Sequence, residues 1–71
     1  MLKRYDEGTL VWCRPRLVDE PKQGVYIRCT TEEERKQGYR YGHIVNIEGK
    51  RVWVRVDLCD IDIQKIIHIL N

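Results

Sequence analysis

The clearest pattern in the chain is "YGHIVNIEGKRVWVRVD", residues 41–57, where two apolar runs flank Glu48-Gly49-Lys50 and the second alternates strictly. Alternation at period two places Val52, Val54 and Val56 on one face of a strand and Arg51, Trp53 and Arg55 on the other. Residues 41–47 and 51–57 are therefore predicted to pair as a hairpin. Gly49 supplies the positive φ that a tight turn requires.

Upstream, "TLVWCR" (9–14) reads as a first strand, with Leu10 and Trp12 on one face and Val11 and Cys13 on the other. Pro15 ends it, because proline donates nothing to a ladder. "PRLVDEPKQG" (15–24) is a loop whose Leu17 and Val18 fold part of it back on the core. "VYIRCT" (25–30) alternates again, which predicts Val25, Ile27 and Cys29 inward and Tyr26, Arg28 and Thr30 outward. "TEEERKQG" (31–38) fits one short exposed helical turn or a polar loop. Thr31 and Glu34 match a capping box, and Gly38 is placed to end the turn.

"DLCDID" (57–62) interrupts the strand pattern, and Asp57, Asp60 and Asp62 suit a turn. The tail "IQKIIHIL" (63–70) fits two periods. Ile63, Ile66, Ile67 and Leu70 match a helix, whereas Ile61, Ile63, Ile67 and Ile69 match a strand. Four isoleucines in eight residues favour the strand, with a C-terminal helix as the alternative.

About five short strands in this order predict an all-β domain that curls into a small barrel to bury one apolar face. The pattern resembles the SH3-like small barrel over residues 9–70. "PRLVDEPKQG" stands where that fold has its first long loop, "TEEERKQGYR" its second and "NIEGKR" its distal hairpin. "LCDID" matches the helical turn before the last strand. "YGHIVNIEGKRVWVRVD" is similar to KOW and Tudor-type barrels, in which a glycine leads a strand into a hairpin. The "ALYDY"-like opening and paired tryptophans of peptide-binding SH3 domains are absent. Trp12, Tyr26, Tyr39, Tyr41 and Trp53 are the rings available for a Tudor-type aromatic cage.

Length changes little: 71 residues make one domain, 1–71, with a thin stability margin. Charge is more useful. The net value is +2 and the pI about 8.5, below the ~9 of a strongly basic nucleic-acid domain. Arg14, Arg16, Lys22, Arg35 and Lys36 are interleaved with acids and read as solvated, and Glu32-Glu33-Glu34 would repel a phosphate backbone nearby. Cys13, Cys29 and Cys59 leave one thiol over in any intrachain pairing, which suggests free thiols in a reducing compartment. With no apolar leader and no run near the ~20 residues of a membrane span, the expectation is a soluble, cytoplasmic protein.

Candidate chemistry lies on the outward face. Tyr26, Tyr41 and Trp53 are the expected stacking rings, and Arg28, Arg40, Lys50, Arg51 and Arg55 the expected phosphate or partner contacts. The expected function is non-enzymatic: a module contacting nucleic acid or a nucleoprotein. The alternative is a protein–protein interaction module or small regulatory subunit docking on a larger protein, since Trp, Tyr and Arg also dominate protein hot spots. Self-association through the Ile-rich tail is a further version. His43, His68 and the cysteines lack metal-ligand spacing, and no catalytic motif or phosphate loop appears, so neither metal, cofactor nor catalytic residue is expected.

Overall fold

The computed structural model describes residues 4–69. Leu70 of the tail pattern and residues 1–3 of the polar lead-in lie outside the described residues. The elements are β1 (Leu10–Cys13), β2 (Lys22–Cys29), α1 (Glu32–Lys36), β3 (His43–Ile47), β4 (Lys50–Val54), a 3-10 helix (Val56–Leu58), β5 (Cys59–Asp60) and α2 (Gln64–Ile67). The strands form one antiparallel sheet in the order β4-β3-β2-β1-β5. The domain is thus all-β with two short helices. Its sheet stays open between β4 and β5 rather than closing into the expected barrel.

The hairpin forms as its alternation predicts. Glu48 (φ 55°) and Gly49 (φ 82°) both lie in the left-handed region, so the two-residue turn matches the right-handed twist of the strands. The Gly49 N–H donates to Asn46 Oδ1 at 3.0 Å. Val54 is fully buried and Val52 packs against the core, while Arg51 and Arg55 are exposed. Val56 belongs to the 3-10 helix and is half-buried.

β2 departs from the predicted phase. Tyr26 is 2% exposed and Val25 is 41% exposed, the reverse of the expectation. Tyr26 pairs with Val45 and Arg28 with Ile44, so Ile27 is an extra residue in the ladder. Such a bulge inverts the facing of everything on one side of it. Beyond it the prediction holds for Arg28 and Cys29; before it the prediction is inverted. Gly24 shows why the inner face must start there: a Cβ on it would lie 2.6 Å from Val45 Cγ1 and 2.9 Å from Ile47 Cγ1. Thr30, also expected outward, is buried. Its N–H donates to the Gly42 carbonyl at 2.9 Å, and its hydroxyl accepts from the Gly42 N–H at 3.0 Å. These two bonds clamp the base of the 31–41 excursion.

α1 carries the complete capping box, Thr31 Oγ1 accepting from Glu34 N at 3.1 Å and Glu34 Oε1 from Thr31 N at 2.8 Å. The tail is helical at Gln64–Ile67, and the last strand is the two-residue β5 upstream of it. Two aspartates shape the entry: Asp60 accepts from Asp62 N at 2.9 Å and Asp62 from Gln64 N at 3.0 Å. Ile66 is buried while Ile61 and Ile67 stay exposed.

Arg14, expected in solvent, is instead an internal strut. It is only 9% exposed. It donates to the carbonyls of Ile66 at 2.8 Å, Ile69 at 2.9 Å and Asp19 at 3.1 Å, and to that of Leu17. One guanidinium thus ties the 15–21 loop to the end of α2, satisfying carbonyls that a helix terminus leaves orphaned. Val11, Cys13, Tyr26, Val45, Ile47, Val54, Leu58 and Cys59 form the core beneath the sheet.

Candidate interaction face

The outer face of the sheet is built by cross-strand register. One row runs Arg28–Ile44–Trp53 and the next Leu10–Val25–Asn46–Arg51. Leu10 is 58% exposed and Val25 41%. Two opposed aliphatic side chains are therefore presented to water beside a tryptophan row.

Trp53 lies on this face, as its strand phase predicts, but it is half-buried. Its Nε1–H donates to the Arg40 carbonyl at 3.0 Å. The indole lies so close over Gly42 that a Cβ there would meet Trp53 Cε2 and Nε1 at 2.5 Å. Absence of a side chain at Gly42 is what lets the loop pass over the ring. Gly38, Tyr39, Arg40 and Trp53 then line a shallow, mainly apolar groove of about 330 Å³. Tyr39, at 60% exposed, is the ring most open to solvent in it.

Tyr41 belongs to a different hollow. It is 39% exposed, and the Arg35 guanidinium sits 4.3 Å from its ring centroid. This second hollow, about 380 Å³, is lined by Arg4, Arg28, Arg35 and Tyr41 together with Cys29 and residues 30–32.

Tyr26 does not contribute to the face. Its hydroxyl is 3.0 Å from both Cys29 Sγ and His43 Nδ1 within the core, and Tyr5 packs edge-on at 5.4 Å. Burial, the hydrogen bond to Cys29 and its neighbouring thiols push the Tyr26 hydroxyl well above the ordinary phenol range. His43 is fully buried, and burial lowers its pKa.

The expected cations divide into two groups. Arg28 forms a two-pronged pair with Glu34, at 2.6 and 3.2 Å. That pair is the main reason the Glu34 carboxyl falls to about 2. Arg55 holds Asp57 at 3.0 and 2.5 Å. Arg40, Lys50 and Arg51 are exposed and form no ion pair among the described residues. The structure therefore brings Trp53 and Arg40 together and sets Lys50 and Arg51 further along the same strand, beside the hairpin turn. It separates Tyr41, buries Tyr26 and neutralises Arg28 and Arg55. The sequence offers Tyr39 only as a cage ring; its position between Gly38 and Arg40, in a loop with no apolar periodicity, is the signal for its exposure.

Among the described residues, no group of three or more His, Cys, Asp or Glu side chains is arranged to hold a metal ion, and no helix is long and apolar enough to cross a membrane. Compared with protein-family models, curated proteins and solved structures, the chain shows no significant match.

Proposed function

We propose that this chain is a non-enzymatic interaction module that docks on a larger protein through the face formed by Trp53, Tyr39 and the Leu10–Val25 pair. The observation that carries this reading is the apolar groove between Tyr39 and Trp53, continuous through Ile44 with a sheet face that exposes Leu10 and Val25. Exposed aromatic and aliphatic groups with scattered arginines suit a protein hot spot. Internal pairing of Arg28 with Glu34 and of Arg55 with Asp57 weakens the case for a phosphate track.

The class supported is an SH3-like small barrel in open form. Its support is the strand order with a 3-10 turn leading into β5 beside β1. A cytoplasmic regulatory subunit is the form of the reading that three free thiols favour.

Single-stranded nucleic acid is the second reading, favoured by Arg40 in the aromatic groove and Arg51 on the Trp53 face of β4, both without an ion pair among the described residues. Two phosphate contacts predict a salt slope of only about −1.4 on single strands.

The two separate by experiment. Tagged protein in nuclease-treated extract should retain a defined protein partner, and Tyr39→Ala should release it. Shifts of Trp53 and Tyr39 resonances with a short oligonucleotide, at that salt slope, would instead establish the second reading. No retained protein and no oligonucleotide shift would overturn both readings.

A further inference from the structure

We infer that Cys13 and Cys59 constitute a dithiol–disulfide site, a modification that covalently joins edge strand β5 to β1. The two residues face each other in the β1–β5 ladder. The Arg14 N–H donates to the Leu58 carbonyl at 2.9 Å, which makes Arg14–Leu58 the hydrogen-bonded pair. Its neighbour Cys13–Cys59 is then the closer, non-hydrogen-bonded kind, with Cα atoms about 4.5 Å apart. That separation lies inside the roughly 4.4–6.8 Å range of protein disulfides. Both side chains point into the core, at 0% and 3% exposed. The thiols also hydrogen-bond, and this contact lowers Cys13 from the ordinary thiol range against the upward push of burial.

Cys59 faces Cys13 directly across the ladder, whereas Cys29 pairs with His43 and contacts the Tyr26 hydroxyl. Cys13 pairs with Lys22 at one end of β2, and Cys29 stands at the other end. At about 3.3 Å per residue the two lie ~20 Å apart along the strand.

The oxidant required is a small-molecule disulfide such as oxidised glutathione. Access comes through local opening at β5, a two-residue strand at the edge of the sheet. One protein thiolate attacks a sulfur of the small disulfide. That S–S bond breaks, and one small thiol leaves and takes up a proton. The second protein thiolate attacks the mixed disulfide, the Cys13–Cys59 bond forms, and the second small thiol departs. Two protein thiols lose two protons and two electrons, and one small disulfide gains them as two thiols. The product cross-links β1 to β5 and constrains the unfolded chain.

The experiment places the full chain in graded mixtures of reduced and oxidised glutathione, quenches with acid, alkylates and maps peptides by mass. A Cys13–Cys59 linked peptide should accumulate with oxidation, with Cys29 alkylated. The oxidised form should melt roughly 10 °C or more higher, and dithiothreitol should reverse both changes. Three alkylated cysteines under fully oxidised glutathione would overturn the inference. So would a lasting mixed disulfide on Cys13 or Cys59, or any linkage through Cys29. Cys59→Ser should abolish the melting shift. Cys29→Ser should retain both linkage and shift, and decides the matter if Cys59→Ser fails to fold.

Discussion

The Arg14 guanidinium donates to the Ile66 carbonyl at 2.8 Å, joining the residue after β1 to α2 across 52 positions of sequence. Among the described residues, four backbone carbonyls hold this buried cation, so its role is to terminate a helix and anchor a loop. Arg14→Met keeps the aliphatic stem but strands those carbonyls. It should lower unfolding free energy by ~2–4 kcal/mol in urea titrations. Arg14→Lys, with one ammonium in place of a fork, should recover only part of that. A loss under ~1 kcal/mol for Arg14→Met would show that the strut contributes little.

Gly42→Ala inserts a methyl where the Trp53 ring already sits at 2.5 Å. The indole has to move outward, and the Thr30–Gly42 clamp has to shift with it. Destabilisation of ~1–3 kcal/mol is expected. Trp53 fluorescence, read in a Trp12→Phe background, should shift to the red as the ring gains water. An unchanged spectrum would contradict the close packing.

The Glu34 carboxyl, held by Arg28 and by the Thr31 backbone N–H, should titrate near 2 by NMR. Its folded value lies below its unfolded one. The stabilisation is therefore present above the usual glutamate range and is lost as pH falls through about 2. Arg28→Ala should return Glu34 most of the way to ordinary values while leaving the capping box intact. Because the pair is partly exposed, raised salt should weaken it.

His43 is sealed in the core with its Nδ1 facing Tyr26 and Cys29, and its Nε2 has no hydrogen-bond partner among the described residues. Burial holds its folded pKa down, so the unfolded chain binds the proton more readily. Stability should accordingly be full above the ordinary histidine range and fall as pH drops through it. The slope should approach, at most, about 1.4 kcal/mol per pH unit. Urea midpoints between neutral pH and mild acid test this. The loss should persist in His68→Gln, since His68 is exposed. A flat profile would count against a neutral, buried His43.

Glu48 occupies a left-handed turn position with φ 55°. Glu48→Asn should stabilise the hairpin by ~0.5–1 kcal/mol, because asparagine tolerates that conformation better. Thermal melts would show a small rise; a fall would mean the Glu48 side chain makes a contact of its own.

Sequence alone determined what local rules decide. Valine alternation, Gly49 and the Thr31–Glu34 pair set the β3–β4 hairpin and α1 within a few residues of chain, so each was legible. Tertiary structure decided the rest. In β2, Val25 and Tyr26 are both apolar enough for a core, and only the Ile27 bulge with the close approach at Gly24 selects Tyr26. The tail's isoleucines fit either period; a strand already at Cys59–Asp60 and the Arg14 bonds to the last carbonyls make it helical. Which arginines remain free depends on how the chain turns after them: Glu34 meets Arg28 across the turn into α1, and Asp57 meets Arg55 at the start of the 3-10 helix. Period and capping follow from residue type at fixed spacing, whereas burial depends on what the rest of the chain brings alongside and charge pairing on the path of the turn.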